Sequence, residues 1–180
     1  MIQRRIENKL QQLEAKLRQI PFAVFVFGSG KQYPKYYRKR QDIINSLRQE
    51  GFSVYTCEDL STDLPSALSL VEQEAIQAEE ADWLIFLNTS AGPLAELSSY
   101  CTNPNFIRKA FVLYPAKYDP VTNKSLTFPQ AVLQNYPYTL AYNENQLNQC
   151  DLVPLCTSRA KAMRRAKFLE EVDKPRTLQF

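Results

Sequence analysis

The sequence predicts an α/β fold in which helices cover both faces of a parallel sheet. Short hydrophobic runs rich in aromatic and β-branched residues alternate with longer segments of helical periodicity through the first two-thirds of the chain. The connections between them are short, and right-handed crossovers of this kind place helices on both faces of the sheet. We therefore predict a flavodoxin-like, three-layer arrangement with strand order 2-1-3-4-5 and an extra N-terminal amphipathic helix.

Length and composition limit the number of domains and the class of partner. With 180 residues, 44% of them hydrophobic, the chain is long enough for one domain with a substantial core and short for two. We divide it into an N-terminal helix over residues 1–20 and a single α/β domain over residues 21–180. The net charge of +3 is small, so bulk electrostatics does not favour nucleic acid or a membrane as partner.

The chain contains no histidine, which excludes a histidine base and histidine-ligated metal centres. Its four cysteines include no Cys-x-x-Cys pair, so we predict no metal site, no cofactor and reduced, structural thiols. Acid and base chemistry is left to carboxylates, tyrosines and lysines. No segment approaches about 18 consecutive apolar residues, and the N-terminus lacks a signal-peptide pattern. We expect a cytoplasmic protein with no membrane attachment.

The first two elements follow from hydrophobic spacing. Isoleucine and leucine recur every three or four residues through residues 2–20, which predicts an amphipathic helix that ends before Pro21. Residues 22–27 form an unbroken apolar run that the small residues 28–30 terminate. Such a run is typical of a central strand that is buried on both faces.

Three further elements come after that turn. Helical periodicity over residues 34–50 ends at Gly51, where a left-handed C-cap is expected. Residues 52–56 form the second predicted strand. Apolar residues at helical spacing over residues 64–78 predict another helix, with Pro65 in its first turn.

The third and fourth strands enclose a helix. Residues 83–87 form a strand that leads through a small-residue turn into a helix, which we predict to begin near Pro93 and to run to about Tyr100. Residues 110–114 form the fourth predicted strand.

The last third of the chain is less regular. Residues 115–137 contain four prolines and only a short predicted helix over residues 130–134, which is typical of an excursion that covers a site as a lid. Residues 138–142 predict a last strand. From residue 144 onward the pattern is helical until the tail.

In the predicted strand order the chain reverses direction between strands one and three, and open α/β sheets bind ligands at that point. The turns after these two strands would face each other across a crevice. Glycine in such a turn lets a phosphate or sugar approach the backbone amides, although an ordinary tight turn has the same composition. The candidate binding residues on the first turn are Phe27, Gly28, Ser29 and Gly30.

A basic and aromatic run follows the first turn. Residues 31–40 contain five cations and three tyrosines, which suits a phosphorylated nucleotide beside the crevice, with Tyr33 and Tyr37 as candidate ligand contacts. A solvated helix face is the alternative. Direct binding of nucleic acid is disfavoured because no second basic aromatic patch accompanies the run. The cations between residues 159 and 167 lack aromatic neighbours and are interpreted as surface.

Two acidic residues follow the second predicted strand. Asp59, with Glu58 before it, lies where a carboxylate can accept hydrogen bonds from ribose hydroxyls. Capping of the turn or of the next helix is the alternative that we favour. Asp82 precedes its strand, which places it at the opposite edge of the sheet.

Glu96 is the candidate catalytic residue. We predict it in the first turn of the helix after strand three, where the helix dipole favours the ionised carboxylate. It would act as an anionic nucleophile or as an acceptor for a sugar hydroxyl. The alternative is an acid that only stabilises the helix, by about 0.3 to 1 kcal/mol. The neighbouring candidate binding residues are Asn88, Ser90 and Gly92.

Residues 81–87 and 90–97 carry a resemblance to a known family. Their hydrophobic strand, small-residue turn and Glu-Leu pair resemble the segment of nucleoside 2-deoxyribosyltransferase-like proteins that bears the nucleophile. The layout is also similar to bacterial Toll/interleukin-receptor domains that cleave nicotinamide adenine dinucleotide (NAD). The resemblance covers residues 22–114, without the Asp-x-Gly-Thr pattern of many such transferases or the Trp-Cys pair of many cleaving Toll-type domains.

The resemblance implies an activity, a ligand and partners. The activity is cleavage of the N-glycosidic bond of a nucleoside, nucleotide or NAD, followed by hydrolysis or transfer, with Glu96 as the nucleophile of a nucleotide-binding domain. Related domains act in prokaryotic defence or toxin systems and are gated by a partner or by assembly. The N-terminal helix is then the candidate docking surface for a protein partner or a second copy. A nucleotide sensor without catalysis and an assembly adaptor are the alternatives.

Overall fold

The fold was described from a computed structural model, which describes residues 2–60, 69–89, 91–119 and 128–173. One five-stranded sheet has the order β2-β1-β3-β4-β5, and every pair of neighbouring strands is parallel. The predicted strand order is therefore confirmed. The strands are β1 Ala23–Phe27, β2 Ser53–Tyr55, β3 Trp83–Leu87, β4 Ala110–Pro115 and β5 Thr139–Tyr142.

Helices flank the sheet on both sides. They are α1 Ile2–Arg18, α2 Pro34–Gln49, α3 Cys57–Leu60, α4 Leu70–Glu80, α5 Ala91–Tyr100, α6 Pro104–Lys109, α7 Phe128–Leu133, α8 Glu144–Asn148 and α9 Leu152–Asp173, with a 3-10 turn at Ala116–Tyr118. The helices α3 and α6 were not predicted from the sequence. Both are too short to show a hydrophobic period.

Alternation along the strands divides the core into two layers. Val24 and Val26 of β1 pack with side chains of α2 and α9, on what we call the α2 face of the sheet. Phe25 and Phe27 point to the opposite side and pack with side chains of α4, α5, α6 and α7, on the α5 face. Because β1 and β3 are buried on both faces, their sequences are continuous apolar runs, as predicted.

The end of α2 agrees with the prediction from the sequence, whereas the start of α5 differs from it. Gly51 has a φ of 79°, the left-handed conformation predicted for the residue after α2. The helix α5 begins at Ala91, ahead of the predicted start near Pro93. A proline in the first turn is tolerated there because its missing N–H would have no partner within the helix. The earlier start removes Glu96 from the first turn, so that part of the prediction is wrong.

The helix predicted over residues 64–78 is described only in its second half. Residues 61–68 lie outside the described residues, and α4 begins at Leu70. Its N-cap is Ser69, whose hydroxyl accepts a hydrogen bond from the backbone N–H of Glu72, while the Glu72 carboxylate accepts one from the Ser69 N–H. This capping box fixes the start of α4.

The predicted C-terminal helix is divided in two. Cys150 adopts a φ of 63°, a left-handed conformation that a helix interior does not contain, and it separates α8 from α9. In the preceding excursion, α7 occupies residues 128–133 instead of the predicted 130–134. The segment 120–127 of the predicted lid lies outside the described residues.

Cationic residues of α9 contact the amino edge of the sheet, which is the edge where its parallel strands begin. Arg164 lies over the ring of Phe52, 4.0 Å from its centroid, and donates hydrogen bonds to the backbone carbonyls of Glu50 and Gly51 after α2. Further along α9, Lys167 pairs with Asp82 at 2.7 Å. This edge lies opposite the carboxyl ends of the strands, so the prediction for Asp82 agrees with the structure.

The N-terminal helix is amphipathic, and its apolar stripe is only partly covered. Leu13 and Leu17 are half-buried and line a cavity between α1 and α9. Ile6 and Leu10 lie on the same stripe but remain 52% and 55% exposed. No helix within the described residues combines the length and the apolar composition needed to cross a membrane.

Candidate functional site

The turns after β1 and β3 meet at the carboxyl edge of the sheet, where the strand order reverses. Phe27 and Phe86 are partners in the β1–β3 register, and just beyond the ends of these strands the Ser29 and Thr89 hydroxyl oxygens lie 2.7 Å apart in a hydrogen bond. Ser29 is buried by this contact. The two turns therefore lie together as predicted. Ser90 lies outside the described residues, and Gly92 is part of the α5 backbone.

Gly28 makes room for an arginine. A Cβ at Gly28 would lie 2.9 Å from Cδ of Arg40, and Nη1 of Arg40 donates a 3.1 Å hydrogen bond to the Gly28 carbonyl. The space that we assigned to a ligand phosphate is thus filled by the α2 side chain. At Gly30 the carbonyl accepts a 3.0 Å hydrogen bond from the Tyr33 N–H, the geometry of a tight turn.

Arg40 is one of the five cations predicted beside the crevice, but its burial and its partners were not predicted. Its side chain is 1% exposed, its Nη2 lies 2.5 Å from a Glu58 carboxylate oxygen, and its guanidinium lies over the Tyr37 ring. Its Nε has no hydrogen-bond partner among the residues that the structure describes. Arg40 is one turn before Ile44 and two before Leu47, so its place on the inner face of α2 was visible in the helical spacing.

The two acids after β2 are held in different ways. Although burial opposes ionisation of Glu58, the hydrogen bond and charge of Arg40 hold its pKa below the ordinary value. Asp59 accepts hydrogen bonds from both the N–H and the hydroxyl of Thr56, each at 3.0 Å. Asp59 therefore caps the start of α3, the alternative that we favoured for it.

Glu96 lies on α5 with one carboxylate oxygen, Oε2, fully buried and without a hydrogen-bond partner in the described part of the chain. Burial raises its pKa from 4.5 to about 7; the charges of Glu74 and Glu58 add to the rise and that of Arg40 opposes it. The expectation that the helix dipole keeps Glu96 ionised is therefore wrong. The dipole acts within the first turn, which α5 completes before Glu96. At neutral pH both protonation states are populated.

Glu74 and Cys57 complete the surroundings of Glu96, and the sequence analysis named neither as functional. Glu74 of α4 is 8% exposed, and burial raises its pKa while a hydrogen bond from Cys57 opposes the rise. Burial raises the pKa of the Cys57 thiol to about 12, so this cysteine is not a nucleophile at neutral pH. Glu74 lies four residues before the buried Ala78, on the inner face of α4. This helical spacing is the sequence signal that could have identified Glu74 as a buried acid.

Asn88 presents an unused donor at the end of β3. Its N–H donates to the Leu113 carbonyl at 2.8 Å, and its own carbonyl accepts from the Tyr142 hydroxyl at 3.0 Å. The alternation of β3 places the Asn88 side chain on the same face as Phe86, which is the face that α5 covers. The side-chain nitrogen, Nδ2, is buried and has no partner within the described residues. The backbone contacts thus fix the position of this amide at the end of β3.

The aromatic candidates divide into buried and accessible residues. Phe27 is 1% exposed and its ring stacks on Phe86, with centroids 4.2 Å apart. Its ring belongs to the core, which does not fit the prediction of Phe27 as a candidate binding residue. Tyr33 is 48% exposed before α2, and Tyr37 lines a cavity beside Arg40.

Two of the cavities lined by described residues open at the carboxyl edge. One of about 220 Å³ has both basic and acidic walls, among them Lys31, Tyr37, Arg40, Arg48, Glu58 and Asp59. A second of about 350 Å³ lies beyond the Ser29–Thr89 contact, between the ends of β3, β4 and β5. A larger groove of about 740 Å³ lies between β5 and α9, but Met163 and other mainly apolar side chains line it, and none of the acids around Glu96 does.

Within the ranges that the structure describes, no three cysteine, aspartate or glutamate side chains are arranged to hold a metal ion. Of the carboxylates near Glu96, that of Glu58 pairs with Arg40. No protein-family model matches the chain, and no curated protein matches it.

Proposed function

We propose that this chain cleaves the N-glycosidic bond of a nucleoside, nucleotide or NAD, as a hydrolase or a glycosyl transferase, with Glu96 as the reacting carboxylate. One observation supports this above the others. Glu96 Oε2, Asn88 Nδ2 and Arg40 Nε are all buried near the carboxyl edge, and none has a hydrogen-bond partner among the described residues. Buried polar groups left unpaired are costly, so they indicate a ligand that supplies both donors and acceptors.

A sugar meets that requirement. Its hydroxyls can donate to Glu96 Oε2 and accept from Asn88 Nδ2, because a hydroxyl does both. The basic walls of the 220 Å³ cavity, Lys31 and Arg48, suit a phosphate on the same ligand. Tyr37, which lines the same cavity, is the aromatic contact that we propose for the base.

The proposed reaction uses the ionised form of Glu96. The bond between the anomeric carbon and the base nitrogen breaks, its electron pair leaves with the base, and positive charge develops on the sugar. The Glu96 carboxylate either bonds to that carbon or stabilises its charge. Water or an acceptor hydroxyl then bonds to the carbon, and where a bond to Glu96 had formed it breaks with its electron pair returning to the carboxylate. The proton that the water or hydroxyl loses passes to the released base or to solvent.

A nucleotide sensor is the second candidate. At neutral pH a substantial fraction of Glu96 carries a proton, because its pKa is about 7. The protonated carboxyl can bind a ribose hydroxyl but is a poor nucleophile, which favours binding without cleavage. The resemblance is the ground for proposing a role in prokaryotic defence or as a toxin. The unpaired cysteines are the ground for proposing the cytoplasm as its location.

Release of free base from a ligand panel separates the two candidates. The parent, Glu96→Gln and the matched control Glu80→Gln, an exposed acid of α4, are incubated with nucleosides, nucleotides and NAD, and the products are separated by chromatography. We expect base from the parent and the control and a loss of about 10³-fold or more in Glu96→Gln. Equal release by all three would refute the role of Glu96. A ligand-induced rise in melting temperature without base would favour the sensor.

A further inference from the structure

Charged side chains dominate the walls of the 220 Å³ cavity between α2 and α3. Lys31 lies before α2, Arg40 and Arg48 lie on α2, and Glu58 and Asp59 lie on α3. Pockets that enclose a whole drug-sized ligand have volumes of about 300 to 1,000 Å³, so a cavity of this size does not enclose a molecule as large as a dinucleotide. Its occupant is therefore a smaller molecule or one end of a larger one.

Both acids of the cavity wall already have cationic partners within the chain. Glu58 forms an ion pair with Arg40, and a carboxylate oxygen of Asp59 lies 3.4 Å from Nη2 of Arg48. These two pairs balance each other in charge. Lys31 adds a positive charge that no ion pair in the described part of the chain balances. The wall as a whole is therefore positive and suits an anion.

One buried donor in this wall has no partner. Arg40 is 1% exposed, its Nη1 donates to the Gly28 carbonyl and its Nη2 donates to Glu58. Its Nε is buried and has no hydrogen-bond partner among the residues that the structure describes. An unpaired buried N–H is costly, and a ligand with an anionic oxygen removes that cost by accepting its hydrogen bond. An anionic acceptor in the cavity would therefore stabilise the site.

A terminal phosphate matches these groups. A phosphate monoester carries a charge of about −1.5 to −2 at neutral pH and three strong acceptor oxygens. These oxygens can accept from Nε of Arg40 and from the exposed ammonium of Lys31. Arg48 uses Nη2 for its contacts with the Val54 carbonyl and Asp59, which leaves its other nitrogen donors for the same anion. A neutral sugar has no charge with which Lys31 could pair.

We propose that this cavity binds the terminal phosphate of a mononucleotide, so that the ligand class is a nucleoside monophosphate and neither a nucleoside nor NAD. A nucleoside has no phosphate to pair with Lys31 and Arg40. The phosphates of NAD lie in the middle of the molecule, where a cavity that admits only one end does not reach them. The inference rests on the proposed function for the base and the sugar, whereas the phosphate site depends on the cavity alone.

The test is isothermal titration calorimetry with Glu96→Gln, in which the proposed reaction is blocked, so that the ligands stay intact. The probes are the 5′-monophosphates of adenosine, guanosine, cytidine and uridine, the four nucleosides, NAD and inorganic phosphate. We expect at least one monophosphate to bind about tenfold or more tightly than its nucleoside and than NAD, because hydrogen bonds between charged groups contribute that much. Inorganic phosphate should compete with that monophosphate.

Substitution of single cations, each in the same Glu96→Gln protein, locates the phosphate. Lys31→Gln should weaken the binding of the monophosphate about 5- to 10-fold and leave that of the nucleoside unchanged, and it should fold because Lys31 is exposed. Arg38→Gln is the matched control: it removes an exposed cation of the same basic run that does not line the cavity, so it should change neither affinity. Arg40→Lys, which keeps the charge but loses Nε, should also weaken the monophosphate alone.

Equal affinities for the monophosphates and their nucleosides would overturn the inference. So would NAD binding more tightly than every monophosphate, or an effect of Lys31→Gln no larger than that of Arg38→Gln. Monophosphate binding without base release by the parent would leave the phosphate site standing while the proposed reaction failed. Release of base from nucleosides as fast as from monophosphates would support the reaction but overturn the phosphate site.

Discussion

The environment of Glu96 links stability to pH in an unusual direction for an acid. Most carboxyls in folded proteins have a lowered pKa and stabilise the fold as pH rises. Burial raises that of Glu96 from 4.5 to about 7, so the folded chain holds this proton more tightly than the unfolded chain. The stability associated with Glu96 is therefore complete below about pH 4.5 and is lost as pH rises through about 7.

Replacing Glu96 by Gln should remove that loss. Relative to the parent, Glu96→Gln should gain a free energy of unfolding on the order of 2 kcal/mol between about pH 5 and pH 8, because Gln is neutral at both. Urea unfolding of both proteins at the two pH values measures this difference. A parent and a variant whose stabilities change in parallel with pH would show that the folded-state pKa of Glu96 is ordinary.

At the residue scale, sequence reasoning located one half of the candidate site. Glu96, Asn88 and Ser29 were predicted at the strand ends because strand order and chain direction bring those ends together. Glu74 was not predicted, and Arg40 was predicted only as one of five cations beside the crevice, because their helices meet the site only through tertiary packing. Helical spacing places both on inner faces, but it does not tell which atoms a charged side chain meets there.

At the scale of elements, α9 stabilises the sheet through one buried cation. Arg164 is 4% exposed, stacks on Phe52 and donates to the last carbonyls after α2, whereas its neighbour Arg165 is exposed. Cations are favourable at the C-terminal end of a helix, where carbonyls lack partners. The interpretation of this basic segment as surface holds for Arg165 but not for Arg164.

Substitution of these two arginines tests that difference. Arg164→Ala should lower the free energy of unfolding by about 2 to 3 kcal/mol, because it leaves the Glu50 and Gly51 carbonyls and the buried Phe52 ring without their partner. Arg165→Ala should stay within about 0.5 kcal/mol of the parent. Denaturant unfolding supplies both values. Equal losses for the two variants would contradict the assignment of Arg164 as a cap of α2.

The sequence predicted the existence of the long elements better than their ends. The strands β1 and β3 were evident because both faces are buried, which produces continuous apolar runs. The start of α5 was misplaced because Pro93 resembles the first residue of a helix, whereas proline is also tolerated later in the first turn. The break at Cys150 was not predictable, since a left-handed cysteine has no signature in sequence.

At the scale of the molecule, α1 is the element whose deletion should destabilise the fold least. Ile6 and Leu10 are mainly exposed, and only the second half of the helix contacts α9. Deleting residues 1–20 should cost about 1 to 2 kcal/mol, from the lost contacts of Leu13 and Leu17, and should leave the sheet and the crevice intact. Unfolding measurements and the NMR spectrum of the truncated protein test this, and global loss of structure would contradict it.

The same truncation tests the proposed docking surface. If α1 binds a partner or a second copy through its exposed stripe, any assembly seen by sedimentation for the parent should disappear in the truncated protein, while base release is retained. An assembly that survives the deletion would place the interface elsewhere on the molecule.

Base release by the parent and by Glu96→Gln is the measurement that tests the central claim most directly. The account predicts free base from the parent with at least one nucleoside, nucleotide or NAD, an equal rate for Glu80→Gln, and a rate near background for Glu96→Gln at the same pH. Release that persists at the parent rate in Glu96→Gln would contradict the account, because the chemistry would then lie outside this crevice.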